Sequence, residues 1–293
     1  MKNDRFNIFE RFLFFLFRPL LTDYYFAYFS LKRWYGRAEL NPPITFNEKL
    51  QWLKIYNRQE LYVTLADKYA VRAYVEQKIG SKYINEIYGV WNNPLDINID
   101  SLPSSFVLKA THGSGMNLII RNKSQISQNE IFKKCTSWIK TDYGKLGREW
   151  MYSKMRPKII AERLILDQDG KIPRDYKVFC FNGIAKLISI DVDRFENQKR
   201  CFYDRNWIKQ DFTTLHNIYE GDIPKPINLD ELLLAAETLS KDIIFVRVDF
   251  YLTDKLIFGE MTFFPGNCTE PFLPDKYDVE IGKYLTIDQG NSN

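Results

Sequence analysis

The sequence has very little histidine and cysteine. Its 293 residues contain two His, at positions 112 and 216, and four Cys, at positions 135, 180, 201 and 268. No two Cys have the C-x-x-C spacing of a zinc or redox motif, and two His are too few for a His-rich metal site. Four Cys in a chain of this length do not make a disulfide framework, so we expect reduced thiols and a cytoplasmic protein.

A strong excess of one charge is also absent. The formal net charge is +4, from 41 Lys and Arg against 37 Asp and Glu. This balance is too mild to indicate a nucleic-acid-binding protein, and it suits an anionic small ligand or a membrane surface equally well. Hydrophobic residues make up 45% of the chain and aromatic residues 16%. That composition excludes a wholly disordered chain and indicates packed aromatic clusters or stacking surfaces.

One strongly apolar segment lies near the N-terminus, at residues 6–31. Its centre is the run Phe12–Phe17, and Arg18-Pro19 interrupts it. A membrane-spanning helix needs about 20 apolar residues without such a break. The small residues that end a secretory signal are also missing. The segment is therefore either a helix packed on the body of the protein or an interfacial helix at a membrane.

The order of the periodic patterns indicates the fold class. Apolar spacing predicts helices at 48–56, behind a cap at Thr45, at 65–78, ended by Gly80, and at 229–241. Alternation predicts strands at 106–110, 117–121, 158–166, 177–181, 184–190, 245–252 and 256–263. Asn182-Gly183 is a strong hairpin turn signal. Helices precede a strand-rich half with few crossovers, so we predict an α+β fold with mostly antiparallel sheets.

Lys109 precedes a glycine-rich turn that runs from His112 to Gly115, and a strand follows the turn. Glycines let the backbone approach a phosphate, and successive N–H groups form a cradle for an anion. This pattern is not a P-loop, because the Lys precedes the glycines and no helix follows. It indicates either a hairpin flap over phosphates or an ordinary glycine-rich hairpin with a solvent-reaching Lys.

Two further strands carry charged residues in apolar surroundings. Glu162 lies within Ile159–Ile165 and needs a partner there, either the amino group of an adenine or a neighbouring Arg. Asp175 and Lys177 point to one face of a strand. They could hold a ribose hydroxyl and a phosphate, or simply pair with each other.

The last predicted hairpin carries a candidate metal site. Arg247 and Asp249 share one face of the first strand, and Glu260 and Thr262 share one face of the second. Two carboxylates on adjacent strands suit Mg²⁺, while a cross-strand Arg–Glu pair is the alternative. A hairpin loop with an even number of residues would bring both carboxylates to the face of Arg247. We expect an even loop, because the other register would point Glu260 at the apolar face that carries Val246, Val248 and Phe250.

These constellations, in this order, resemble the ATP-grasp superfamily, and more closely the TupA-like ATP-grasp family of bacterial capsule and surface-polysaccharide gene sets. The segments that carry the resemblance lie between about residues 40 and 285: 46–53, 66–72, 109–115, 175–179 and 247–250. The superfamily often has Asn two residues after its metal-binding Glu, where this chain has Thr262. The third metal ligand and the number of Mg²⁺ ions therefore stay open.

The resemblance implies an ATP-grasp fold and a site for ATP and Mg²⁺. It implies phosphate binding by Lys109 and Lys177, with Gly113, Ser114 and Gly115 in the covering flap. His112 would lie at the tip of the flap, contact the substrate or do neither. It places Glu162 and Leu164 at the adenine, Asp175 at the ribose, and Asp249, Glu260 and Thr262 at the metal. Arg247 would stabilise the transferred phosphoryl group. We also expect that replacing Lys109 with Met abolishes nucleotide binding with little change in the stability of the free protein.

The implied reaction is ATP-dependent carboxylate–amine ligation through an acyl phosphate. The implied substrates are a carboxylate-bearing sugar or glycan precursor and an amine or amino acid, with no nucleic acid, and residues 1–31 could contact a membrane or membrane-bound polysaccharide machinery. The alternative is a glycosyltransferase that uses Asp191-Val192-Asp193 as a metal-binding D-x-D motif. Along the chain we predict a helical segment at 1–45, a first ATP-grasp subdomain at 46–160, and a second with the metal site at 161–293.

Overall fold

The structure, a computed structural model, describes residues 4–193 and 197–287. Residues 1–3 of the predicted N-terminal segment and 288–293 of the predicted last segment therefore lie outside the described residues. The helices are α1 (Ile8–Phe17), α2 (Asp23–Tyr35), α3 (Phe46–Tyr56), α4 (Leu61–Ala66), α5 (Val71–Ile79), α6 (Gln128–Ile139), α7 (Tyr143–Gly147), α8 (Trp150–Lys154), α9 (Leu229–Leu239) and α10 (Lys276–Gly282). The strands are β1 (Ile87–Trp91), β2 (Phe106–Ala110), β3 (Asn117–Ile120), β4 (Ile159–Glu162), β5 (Asp175–Phe181), β6 (Ile184–Val192), β7 (Lys199–Asp204), β8 (Thr213–Thr214), β9 (Asn217–Ile218), β10 (Phe245–Leu252), β11 (Leu256–Thr262) and β12 (Phe272–Leu273).

The chain divides into two compact units. The first unit contains residues 1–58, 176–248 and 262–293, and the second contains 59–175 and 249–261. Each unit is thus assembled from separated stretches of the chain. The division into segments 1–45, 46–160 and 161–293 stays a prediction.

The second unit is built on a four-stranded antiparallel sheet in the order β1-β4-β2-β3. Helix α6 begins at a capping box in which Ser127 and Glu130 exchange hydrogen bonds. The apolar core beside this helix and sheet includes Phe106, Leu108, Ile131, Trp138 and Ile159. This sheet places β2, which carries Lys109, directly beside β4, which carries Glu162.

The first unit has an aromatic core. The ring of Phe46 lies 5.2 Å from that of Phe245, 5.7 Å from that of Phe181 and 6.0 Å from that of Phe272, centroid to centroid. Phe46 begins α3, and Thr45 and Glu48 form the predicted capping box there. The aromatic residues indicated by composition therefore pack mainly as core.

The larger sheet has six strands in the order β11-β10-β5-β6-β7-β9. Its β5–β6 and β6–β7 pairs are antiparallel, and β7–β9 is parallel. Asn182 and Gly183, which join β5 to β6, both have positive φ, at 49° and 79°. That is the geometry of the predicted tight hairpin turn. The predicted α+β class with mostly antiparallel sheets is confirmed.

The helix predicted at 65–78 is wrong in its middle. Helix α4 ends at Ala66 and α5 begins at Val71. The Asp67 side chain accepts hydrogen bonds from the backbone N–H groups of Tyr69 and Ala70, which satisfies them outside a helix. Gly80, with φ 101°, ends α5 as predicted.

The apolar N-terminal segment forms two helices, α1 and α2. Helix α2 begins at a Thr22 cap and ends at Gly36 in the left-handed conformation. The rings of Phe14 in α1 and Phe26 in α2 stack 5.9 Å apart. Within the described ranges, no helix has the length and apolar character needed to cross a bilayer.

The four Cys are buried and free.

Candidate active site

The ammonium group of Lys109 pairs with Glu162 in the second unit. Lys109 lies on β2 opposite Ile160 of β4, so Glu162 is its diagonal neighbour on the same face. The Lys109 Nζ to Glu162 Oε2 distance is 2.6 Å, and Glu162 is only 7% exposed. Sequence reasoning left the partner of Glu162 open between an adenine and an Arg. In this structure a Lys is the close partner.

The electrostatics around this pair favour a permanently charged Lys109. Burial by itself lowers the pKa of Lys109, but the carboxylates of Glu162 and Glu260 and the nearby Tyr251 outweigh burial, so the pKa is raised. A guanidinium nitrogen of Arg72 lies 3.8 Å from the other Glu162 oxygen. Arg72 was not assigned a role from sequence, although it ends the 66–72 segment that carries the family resemblance.

The glycine-rich turn lies between β2 and β3, as the sequence predicted. Ser114 and Gly115 are exposed at its tip, and Gly115 has φ +74°. Gly113 is buried against Tyr143, since a Cβ at this position would lie 2.6 Å from the Tyr143 ring. Tyr143 also hydrogen-bonds to Ser114. The loop thus has an anchored base and an exposed tip.

His112 lies inside the second unit instead of at the tip of the loop. It is 1% exposed, and its Nε2 lies 3.1 Å from the carbonyl oxygen of Trp138 at the end of α6. Burial lowers the pKa of His112, which favours the neutral ring. A nucleotide-binding role for His112 stays a prediction.

Lys68 links the glycine-rich turn to the last hairpin. Its Nζ donates to the Gly113 carbonyl oxygen at 2.6 Å and lies 3.2 Å from Glu260 Oε2. Lys68 lies in the short turn between α4 and α5, and its backbone N–H bonds to Thr111 O. Sequence reasoning quoted this residue only within a family motif and gave it no role.

The β10–β11 hairpin corrects the predicted loop. The strands end at Leu252 and begin again at Leu256, so the loop has three residues and the expectation of an even number is wrong. A regular hairpin with this loop would place Asp249 and Glu260 on opposite faces.

Two contacts show how the hairpin departs from that regular pattern. The rings of Phe250 and Phe258 lie 5.9 Å apart, which fits the regular register near the loop. Farther away, an Arg247 guanidinium nitrogen donates to Thr262 Oγ1 at 3.2 Å, which requires a register shifted by one residue. We infer a β-bulge close to Gly259, where a Cβ would lie 3.0 Å from the Asp249 carbonyl oxygen.

Glu260 and Thr262 share one face of β11 by alternation, and Arg247 and Asp249 share one face of β10. A bulge near Gly259 would bring Asp249 and Glu260 onto a common face, which a shared metal site needs. Met261 is 2% exposed, whereas Glu260 and Thr262 are partly exposed. Across the described part of the chain, no three His, Cys, Asp or Glu side chains cluster as a metal site. Two carboxylates fit Mg²⁺ when phosphate oxygens supply the remaining ligands.

Lys177 lies in the first unit, within a buried ionic network. Its Nζ is 3.4 Å from Asp191 Oδ2, and Arg200 Nε donates to Asp191 Oδ1 at 2.7 Å. Arg200 also contacts Glu270 at 2.9 Å. Burial by itself raises the pKa of Asp191, but Arg200 and Lys177 outweigh it and hold the pKa well below its ordinary value.

This network speaks against the D-x-D interpretation. Asp191 is 7% exposed and bound by two cations, whereas Asp193 is exposed beyond the end of β6 with φ 53°. The two carboxylates therefore do not form a pair open to a metal and a sugar nucleotide.

The remaining predicted residues lie at strand ends. Asp175 is the first residue of β5 and is 8% exposed, and Leu164 is half-buried just after β4. The structure brings together Lys109, the glycine-rich turn, Glu162 and Glu260 within the second unit, while Lys177, Arg247 and Thr262 belong to the first.

The chain matches a protein-family model in sequence and several solved proteins in fold. No curated protein matches this chain. The D-alanine–D-alanine ligase from Bacillus anthracis, solved with ATP, is 15% identical, with a TM-score of 0.41 over 69% of this chain and 56% of that one. The L-amino acid ligase from Bacillus licheniformis is 12% identical, with a TM-score of 0.46 over 75% of this chain and 49% of that one. This chain therefore spans about half the length of these solved proteins.

A family model described as TupA-like ATPgrasp matches residues 48–286, which is most of the chain. The matched range contains all the predicted site residues. The chain belongs to the TupA-like ATP-grasp family.

Proposed function

We propose that this protein is an ATP-dependent carboxylate–amine ligase that modifies a bacterial capsule or surface polysaccharide, or its precursor. The observation that carries the proposal is a glycine-rich turn that directly follows Lys109 in the chain and is contacted by the side chain of Lys68. Lys109 leads into the turn, and Lys68 Nζ lies 2.6 Å from the Gly113 carbonyl oxygen. Family membership supports the same reading.

In this proposal the two Lys side chains bind the phosphates of ATP. Lys109 and Lys68 supply positive charge, and the exposed tip residues Ser114 and Gly115 supply backbone N–H groups. Glu162 and Leu164 flank the adenine, Asp175 contacts the ribose, and Lys177 adds a further phosphate contact. Nucleotide binding then replaces carboxylate partners of the Lys side chains with phosphate oxygens.

The proposed chemistry has two steps. An oxygen of the substrate carboxylate attacks the γ-phosphorus, the bond to the β–γ bridging oxygen breaks, and ADP leaves. The amine nitrogen then attacks the carbonyl carbon of the acyl phosphate, inorganic phosphate departs, and the nitrogen loses a proton to give an amide. Arg247 supports the first step, because a guanidinium beside a transferring phosphoryl group stabilises its negative charge.

Asp249 and Glu260 would hold Mg²⁺, with Thr262 on the same face. Bound Mg²⁺ would neutralise charge on the phosphates during transfer. Glu260 is already paired with Lys68 at 3.2 Å, so the metal and the ammonium group compete for one carboxylate. Once Glu260 binds the metal, Lys68 can exchange this carboxylate for a phosphate oxygen while its Nζ keeps the hydrogen bond to the Gly113 carbonyl oxygen.

A thermal-shift experiment tests nucleotide class first. Mg-ATP should raise the melting temperature by mass action, while UDP-sugars should not. A rise with UDP-sugars alone would favour a glycosyltransferase.

Release of ADP then identifies the substrates. We expect continuous ADP release only when a sugar acid and an amine or amino acid are both present, across a panel of each. Continuous ADP release with a sugar acid and no amine, together with a stable phosphorylated product, would point to a kinase instead. A reaction that consumes ATP fits the expected location in the cytoplasm.

A further inference from the structure

Helix α1 presents a row of large apolar side chains to solvent. The exposed fractions are 86% for Ile8, 64% for Phe9, 61% for Phe12, 76% for Phe15 and 54% for Leu16. Positions 8, 12, 15 and 16 fall on one stripe of a helix with 3.6 residues per turn. Leu20, in the turn that follows, is 79% exposed. Contiguous exposed apolar surface of this kind marks an interaction site.

The helix is held in place by its other side. Phe14 stacks on Phe26, and Asp4 pairs with Arg33 at 2.6 Å and with Arg11 at 3.1 Å. Asn7 forms a capping box at the start of α1. The exposed stripe is therefore a defined surface of a docked helix.

Charge is concentrated in the same part of the sequence. The first 37 residues contain seven Lys and Arg and three Asp and Glu, a net charge of +4. The whole chain also has a net charge of +4, so residues 38–293 are neutral overall. Basic residues beside an apolar helix face complement the anionic headgroups and acyl chains of a bilayer surface.

We propose that α1 and the turn at Arg18–Leu20 dock on an anionic membrane surface. The apolar stripe enters the boundary between headgroups and acyl chains, and basic residues of the first 37 positions contact the headgroups. A helix of ten residues is about 15 Å long and lies in the interface, because crossing the apolar layer takes about 30 Å.

A second copy of the chain fits this surface less well. In a symmetric dimer the same patch meets itself, so two segments of net charge +4 would face each other. An anionic bilayer offers negative headgroups to the basic residues and acyl chains to the apolar stripe. This inference does not depend on the reaction that the protein catalyses.

Vesicle flotation of the full-length protein tests the proposal. Vesicles contain phosphatidylcholine alone or with about one third phosphatidylglycerol. The variant Phe9→Ser/Phe12→Ser/Phe15→Ser removes the stripe. The matched control, Ile227→Ser/Leu234→Ser, changes two apolar side chains that are 107% and 66% exposed elsewhere. Melting temperatures and the ATP-induced shift are measured for each protein, which separates this test from that of the proposed function.

We expect the wild type and the control to float with anionic vesicles and the triple variant to bind about tenfold less or worse. Each basic residue near the surface contributes about fivefold, so raising the salt concentration or omitting phosphatidylglycerol should release the protein. Equal flotation of the wild type and the triple variant would overturn the proposal. The proposal would also be overturned if the wild type formed a dimer that does not bind vesicles and that the triple substitution dissociates. The apolar stripe would then be an interface between two copies of the chain.

Discussion

Replacing Lys109 with Met should destabilise the free protein as well as abolish ATP binding. The substitution removes the ammonium group 2.6 Å from Glu162 and leaves that 7% exposed carboxylate with Arg72 at 3.8 Å. Removing one partner of a fully buried ion pair lowers the free energy of unfolding by about 3–5 kcal/mol. The Lys109 side chain is still 20% exposed, so the loss should be smaller here. We therefore expect a loss of about 2 kcal/mol, or roughly 3 °C in Tm for a chain of 293 residues that unfolds as one unit. The sequence-based expectation of little change is revised accordingly.

A second variant separates the two effects. In Lys109→Met/Glu162→Gln the unpaired carboxylate becomes a neutral amide, so most of the lost Tm should return. ATP-induced stabilisation, about 2.7 kcal/mol at a ligand concentration 100 times Kd, should stay absent in both variants. Thermal unfolding with and without Mg-ATP measures both quantities, and Lys134→Met, at an exposed position of α6, is the matched control.

Each result contradicts a specific step. A single variant as stable as the wild type would refute the argument that Glu162 depends on Lys109. An unchanged ATP-induced rise in Tm would refute the phosphate-binding role of Lys109.

Three other substitutions have defined outcomes. Burial raises the pKa of Asp278 to about 6, from an ordinary value of 3.8. Protonated Asp278 therefore stabilises the fold at low pH, and about 3 kcal/mol of the free energy of unfolding is lost as the pH rises from about 4 to 6. Asp278→Asn should remove this pH dependence when urea unfolding is measured at several pH values. An unaltered pH profile would exclude Asp278 as its source. Asp249→Asn should raise the Mg²⁺ concentration needed for ATP-induced stabilisation about tenfold or more in a MgCl₂ titration, whereas Asp254→Asn in the exposed loop should not. Asp191→Asn should lower the free energy of unfolding by about 3 kcal/mol in urea titrations, because it removes the carboxylate that Arg200 and Lys177 share. A loss below about 1 kcal/mol would mean that the other contacts of these cations, such as that of Arg200 with Glu270, compensate for Asp191.

Local features of the structure could be predicted from the sequence. The capping box at Thr45 and Glu48 and the turn at Asn182-Gly183 depend on residues within three positions of each other. The glycine-rich turn after Lys109 was found for the same reason. Backbone hydrogen bonding and left-handed φ angles are decided by neighbouring residues, so the chain encodes these features directly.

Other local patterns were misleading because a competing interaction was stronger. The helix predicted at 65–78 is interrupted where the Asp67 carboxylate binds two backbone N–H groups. Strands β1 and β7 were missed. Strand β1 pairs with β4, which lies far along the chain, and β7 pairs with β6. No local sequence pattern indicates the pairing of β1 with β4.

The candidate site depends on contacts between distant parts of the chain. The pair of Lys68 and Glu260 joins residues on opposite sides of the glycine-rich turn in sequence, and neither residue by itself signals the other. The sequence identified Asp249 and Glu260 as carboxylates on two strands, but the three-residue loop alone would have separated them. The contact of Phe250 with Phe258 near the loop and that of Arg247 with Thr262 farther away differ in register by one residue, and the sequence does not indicate this shift. Residue types and local turns were therefore determined by the sequence itself, whereas register, ion-pair partners and the faces on which charges meet were decided by tertiary packing, because those energies arise only when separated segments come together.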